Sequence, residues 1–380
     1  MLKRYLEDQI KTDLDKKIVL LSGPRQVGKT TMSQDLFSEY QYLNYDLVEH
    51  TKILLKKEWD RDVRLLIFDE IHKMSKWKSW LKGIYDVEGV RPRILVTGSA
   101  RLETFTNVGD SLAGRFFSFR LHPFDLKEVI SSSKTSVDER EVIDSIINYS
   151  GFPEPFLAND KKFYNRWQKS HLDVILREDF LGMLNVKDLS KLRLLIDLLR
   201  DRVGSPVSFS SLANDLQTSH HTVKSWLELL ERLYIIFRVS PYSKNIARSI
   251  LKEPKYYFYN SAFVRGDEGV KFENLVACAL IKEVHGQTDL NGLEAGLYYL
   301  RNKSGHEIDF LTQVDNEFSM IEVKNRDNSI SKNFEKFTKY FSEVNKIQLV
   351  NYLDQKKSNF EGVKVEKATE WLKTVSIHSK

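Results

Sequence analysis

Three apolar runs stand out early in the chain: Lys17-Ile18-Val19-Leu20-Leu21, Arg64-Leu65-Leu66-Ile67-Phe68-Asp69 and Arg93-Ile94-Leu95-Val96-Thr97. None alternates between apolar and polar positions, as expected of strands covered on both faces, and helix-compatible stretches separate them. That order predicts a parallel sheet with helical crossovers, an α/β core over residues 1–125. From about 138 to 202 apolar residues recur three and four apart, as in Leu192-Arg193-Leu194-Leu195-Ile196, so residues 126–202 read as a helical lid and connector. Residues 210–216 and 220–233 predict two helices around the turn Thr218-Ser219. The runs 234–239 and 255–259 would add the strands of a wing, giving a winged helix-turn-helix over 203–262. Residues 263–380 show a helix at 271–284, three strand-like runs, a helix near 333–341 and a strand at 347–350, a second α/β domain.

Composition narrows this picture only slightly. A chain of 380 residues with 41% hydrophobic and 29% charged residues can build a core in each segment and is not a disordered composition. No signal-peptide pattern or 18-residue apolar run is present, so the expectation is a soluble, cytoplasmic protein with no membrane partner. The net charge of +5, from 58 basic and 53 acidic residues, permits a nucleic-acid partner without requiring one. Cys278 is the only cysteine and lies in an apolar run, where packing is its expected use; disulfides and zinc clusters within one chain are excluded.

The first apolar run leads into Gly23-Pro24-Arg25-Gln26-Val27-Gly28-Lys29-Thr30-Thr31, which fits G-x-x-x-x-G-K-[ST] between a strand and a helix. Gly23 and Gly28 let the backbone curl around phosphates, Lys29 is placed to reach the β- and γ-phosphates, and the Thr30 hydroxyl to ligate Mg²⁺. The second run ends in Asp69-Glu70, at the sheet edge where α/β folds bind ligands. Asp69 fits the magnesium shell and Glu70 fits a general base acting on the attacking water. The third run ends in Val96-Thr97-Gly98-Ser99-Ala100, where Thr97 and Ser99 are candidate γ-phosphate sensors and Ser99 is preferred. Arg115, in Leu112-Ala113-Gly114-Arg115, is positioned to reach a neighbouring subunit's γ-phosphate. ATP and Mg²⁺ are the expected cofactors, and catalysis is expected to use Glu70, Ser99 and Arg115.

Together these motifs resemble AAA+ ATPases, and more narrowly a prokaryotic family with G-P-R-Q-V-G-K-T, D-E-I-H, T-G-S-[SA] and L-A-G-R in this order. The resemblance covers nearly the whole chain. It implies an ATP-dependent machine that works as a homo-oligomer, such as a ring, with a C-terminal domain of formerly unknown function. The pattern departs from many AAA+ lids at Gly151-Phe152-Pro153, which Glu154 follows where an arginine is usual; Arg166 and Arg177 have no assigned role.

In the C-terminal part, Glu273 lies on the helix, Asp309 ends Gly305-His306-Glu307-Ile308-Asp309, and Glu322-Val323-Lys324 has two residues on one strand face. The set resembles the PD-(D/E)XK nuclease signature of restriction-endonuclease-like folds, with Ile308-Asp309 in place of Pro-Asp. The resemblance implies Mg²⁺ held by Asp309 and Glu322, with Glu273 completing the shell and Lys324 positioning or deprotonating water. A fold kept for docking, with these charges as a buried polar network, is the other reading. On the predicted recognition helix, His220, His221 and Lys224 are the candidate DNA contacts. Three functions stay open on this basis. They are an ATPase that couples nucleotide state to DNA binding, remodelling or translocation, an ATP-gated nuclease, and a protein-remodelling or signalling ATPase that does not bind DNA.

Overall fold

A computed structural model describes residues 2–98, 112–133, 136–179, 186–243, 253–327, 329–353, 362–375 and 377. The chain divides into two compact units, one of residues 1–123 with 232–234, the other of 124–231 with 235–380.

The first unit is built on a five-stranded sheet. Its strands are β1 (Ile18–Ser22), β2 (Tyr40–Asn44), β3 (Leu65–Asp69), β4 (Arg93–Thr97) and β5 (Phe116–Arg120), in the order β2-β3-β4-β1-β5 with every pair parallel. Every residue of β1, β3 and β4 is buried, whereas the edge strands β2 and β5 are largely half-exposed. Burying a Leu, Ile or Val side chain contributes about 1.5–3 kcal/mol. That is of the same order as the roughly 1–2 kcal/mol cost of ordering each backbone residue, so the fully buried central strands offset that cost better than the half-exposed edges. Leu20, Leu66, Phe68, Val96, Trp77 and Leu81 belong to one core cluster that joins the sheet to the helix Trp77–Glu88. Register places Asn44 beside Asp69 and Asp69 beside Thr97, which lines polar residues along the carboxyl edge of the sheet.

The second unit contains a seven-stranded mixed sheet. Its strands are β6 (Ile236–Pro241), β7 (Lys255–Phe258), β8 (Ala295–Arg301), β9 (Glu307–Val314), β10 (Glu317–Lys324), β11 (Asn345–Val350) and β12 (Lys364–Lys367), in the order β12-β11-β10-β9-β8-β6-β7. The helix Glu268–Asn291, capped by the Asp267 side chain on the Val270 N–H, lies in the same unit. Asp125, Asp138 and Asp160 cap three helices of the 126–174 segment in the same way.

One sequence expectation changes here. The strands read as a wing continue the C-terminal sheet, because β6 pairs with β8 through Ser240 beside Tyr298 and Pro241 beside Tyr299. A wing strand would keep a face in water, yet Lys255, Tyr256, Tyr257 and Phe258 are all buried. The lid segment is also tied to the C-terminal helix: the buried Lys282 ammonium lies 2.5 Å from Glu128 and 3.1 Å from Asp125. The expected boundaries at 202 and 262 therefore fall inside one compact unit.

Candidate functional site

β1 ends at Ser22 and the chain turns at once through Gly23, whose φ is +143°. A Cβ at Gly23 would stand 2.4 Å from the Leu121 carbonyl oxygen, so only glycine fits this approach. Gly28, at φ +94°, turns the loop into the helix Lys29–Asp35. Lys29 folds over the loop and donates to the Gly23 carbonyl at 2.9 Å and the Pro24 carbonyl at 2.7 Å. A second cation braces the loop from behind: the Arg4 guanidinium donates to the Val27 carbonyl at 2.7 Å and the His122 carbonyl at 2.5 Å.

Asp69 is the hub of the site. Its Oδ1 accepts from the Thr97 hydroxyl at 2.6 Å, and its Oδ2 from the Tyr42 phenol at 2.5 Å and the Thr30 hydroxyl at 3.3 Å. Burial, and next the bond to Asp69, hold the Tyr42 proton well above the ordinary phenol range, so Tyr42 stays a donor. The Thr30 hydroxyl beside a carboxylate, at the mouth of a glycine loop, is a donor set suited to Mg²⁺ bound to a triphosphate.

Glu70 follows with φ +58°, a turn that separates its side chain from that of Asp69. Its Oε2 lies 3.3 Å from the Lys73 ammonium and 3.6 Å from His72 Nε2, while Lys73 also reaches Asp46 at 2.6 Å. Burial pushes the Glu70 carboxyl above its usual range, and Lys73 opposes that shift. Lys29, Thr30, Asp69 and Glu70, the residues expected from the motifs, lie at this edge of the sheet; Tyr42, Lys73 and the contact made by Thr97 were not expected. Ser99, the preferred sensor, lies outside the described residues. Arg115 sits in a bidentate pair with Asp86 of its own chain, at 2.6 and 3.3 Å.

A second polar cluster lies in the other unit. The β9–β10 ladder pairs Phe310 with Ile321, and beyond it Asp309 Oδ2 accepts from the Val323 N–H at 2.8 Å. Glu322 Oε1 accepts from Lys324 Nζ at 3.1 Å and from the Ser331 hydroxyl at 3.0 Å. Burial raises the Asp309 carboxyl, with Lys255 opposing, and burial followed by Asp309 raises Glu322. Glu273 is pushed up to about 7, by burial and then by Asp309. The structure thus brings the four predicted residues into one electrostatic neighbourhood and adds Lys255, Tyr257 and Glu307, which the sequence reading did not single out. Among the described residues, no three His, Cys, Asp or Glu side chains stand close enough to hold a metal ion together, so Glu273 does not complete a shell with Asp309 and Glu322.

His220, His221 and Lys224 lie in the first turns of the helix His220–Arg232. The His220 ring packs between Phe209 and His221, and Lys224 lies 4.0 Å from Glu228. Among the described residues, no helix is long and apolar enough to cross a membrane.

Residues 15–130 match the family described as AAA domain; residues 140–268 and 268–371 match two domains of unknown function, DUF8612 and DUF4143. An uncharacterized protein of Methanocaldococcus jannaschii is 23% identical over 338 residues, covering 81% of this chain and 74% of that one. An uncharacterized protein of Haemophilus influenzae is 22% identical, covering 84% and 86%. Among solved structures, a Thermotoga maritima RuvB variant aligns with 62% of this chain and 88% of its own at 17% identity and TM-score 0.33. A replication initiator DnaA bound to AMPPCP and single-stranded DNA aligns with 59% and 86% at 16% identity and TM-score 0.31. The AAA-domain match covers residues 15–130, the part of the chain that holds the parallel five-stranded sheet and its glycine loop.

Proposed function

We propose that the chain hydrolyses ATP with Mg²⁺ and couples its nucleotide state to DNA binding, remodelling or translocation. The observation that carries the first part is the Thr30–Asp69 contact beside Glu70 and Lys29, at the carboxyl edge of the sheet. In this reading Lys29 holds the β- and γ-phosphates, while Thr30 and Asp69 hold Mg²⁺. When bound, that ion neutralises charge on the transferred phosphoryl group. Glu70 takes a proton from the water whose oxygen attacks the γ-phosphorus; the bond to the β-phosphate oxygen breaks and ADP leaves with the electron pair. Arg115 would serve a neighbour's site in a homo-oligomer once its pair with Asp86 opens. The exposed positions His220 and His221, with Lys224, are the proposed DNA contacts.

The test is ATPase turnover measured with single-stranded, duplex and junction DNA at several salt concentrations. Stimulation that fades as salt rises is expected, because phosphate contacts release counterions. Turnover indifferent to every DNA at low salt would remove the DNA coupling and favour an ATPase that remodels proteins or signals.

One observation favours a second activity. Glu322 has a side chain only 3% exposed, and its Oε2 is buried with no hydrogen-bond partner among the described residues. A carboxylate oxygen left that way beside Asp309 and Lys324 suits a divalent cation, and with it phosphodiester hydrolysis. Mg²⁺-dependent cleavage of plasmid or junction DNA, reduced at least about 10²-fold in Lys324→Ala, is the expected result. A chain that leaves all these DNAs intact with ATP and Mg²⁺ present has no such activity.

A further inference from the structure

The carboxylates of the second unit keep two kinds of company. On one side stands Lys255, whose side chain is 1% exposed and whose ammonium lies 2.6 Å from Glu307 Oε1 and 4.0 Å from Glu273 Oε1. Glu273 Oε1 also accepts from the Tyr257 phenol at 2.7 Å. The backbone closes over that carboxylate too, since a Cβ at Gly204 would stand 2.7 Å from Oε1. On the other side stand Asp309, bonded to the Val323 N–H, and Glu322, whose Oε1 faces Lys324 at 3.1 Å and whose Oε2 is buried with no hydrogen-bond partner among the described residues.

A buried ammonium persists only when carboxylates compensate it, and buried carboxylates need a cation in return. Lys255 meets that need for Glu273 and Glu307, and Lys324 stands 3.1 Å from Glu322 Oε1, but Glu322 Oε2 is buried with no hydrogen-bond partner among the described residues. Burial works against the Lys255 charge, yet Glu273, Asp309 and Glu307 together keep its proton on. A fixed positive charge there also repels a second dication from the same carboxylates, whereas paired metal sites need ions roughly 3.5–4 Å apart. Mg²⁺, for its part, is satisfied by one or two carboxylates with water and phosphate oxygens.

We propose that Lys255 is the built-in cation of this cluster, standing where a second metal ion would otherwise be required, so that Asp309 and Glu322 hold a single divalent ion for a phosphodiester substrate. The proposal rests on the hydrolytic reading of the cluster given above. Lys255 acts as a positioning residue: it fixes Glu273 and Glu307 and sets the ion count, and it does not touch the substrate.

The count is measurable without any turnover. The nucleotide-free chain of 380 residues carrying Thr30→Ala, which silences the phosphate-loop metal position, is titrated with Mn²⁺ and the free ion followed by electron paramagnetic resonance. One ion per chain is expected, bound at least tenfold more weakly after Glu322→Gln. Lys255→Gln is expected to bind two ions and to regain with Mn²⁺ the thermal midpoint it loses in EDTA, while Lys255→Arg keeps the count at one. If Lys255→Gln does not fold, Lys255→Met, which keeps the length and apolar packing of the stem and leaves both carboxylates in place, takes its place, and it too should gain an ion. Two ions in the parent protein, or an unchanged count without the lysine, would overturn the role of Lys255 alone. No ion in the parent protein would remove the hydrolytic reading beneath it.

Discussion

Lys29→Ala is expected to lose ATP turnover by at least about 10²–10³-fold, the usual cost of deleting a donor aimed at developing negative charge. Two effects combine in this chain. The phosphates lose their cation, and the Gly23 and Pro24 carbonyls lose the ammonium that spans them. The second effect disturbs the loop itself, so nucleotide affinity should fall along with turnover. A buried carbonyl left without a donor costs about 1–3 kcal/mol, which thermal unfolding without nucleotide would register as a lowered midpoint. A variant that folds and turns over ATP at the parent rate would refute the nucleotide site.

Glu70→Gln separates chemistry from binding. Removing a general base costs about 10²–10⁴ in kcat, and the amide keeps the size of the side chain, so ATP should still bind with near-parent affinity. Rapid-quench turnover beside equilibrium nucleotide binding distinguishes the two quantities; full turnover in the variant would transfer the base role elsewhere. The same protein tests Arg115. Mixed with Arg115→Ala, it should recover part of the lost turnover, because some shared interfaces would pair an intact Glu70 with an intact Arg115. Co-assembly without recovery would leave the Arg115–Asp86 pair as a structural contact.

Much of the first unit was legible because its central strands are covered on both faces: β1, β3 and β4 are continuous apolar runs, and chemistry-bearing residues follow them directly. β2 escaped notice for the opposite reason. It is an edge strand in which only Leu43 is buried, so it carries no apolar run to mark it, and nothing in the sequence pattern singles out Tyr42, which donates to Asp69. Thr97 and Ser99 are indistinguishable as polar residues after a strand; only register shows that Thr97 stands beside Asp69. The second unit was harder to read. Lys255 opens an aromatic run that resembles a wing, and a lysine at a strand start normally faces water. Its charged partners, Glu307 and Glu273, lie on later elements that only the fold brings to it. Cys278 needed no such information: an apolar run predicted packing, and burial pushes its thiol up to about 12.

Arg4 gives the phosphate loop a mechanical attachment. One guanidinium grips the main chain at Val27 and at His122, the residue before the first unit ends at Pro123. A planar fork with fixed donor directions behaves as a strut, not a tether. Val27 on the glycine loop and His122 after β5 are thereby held to one side chain without passing through the sheet.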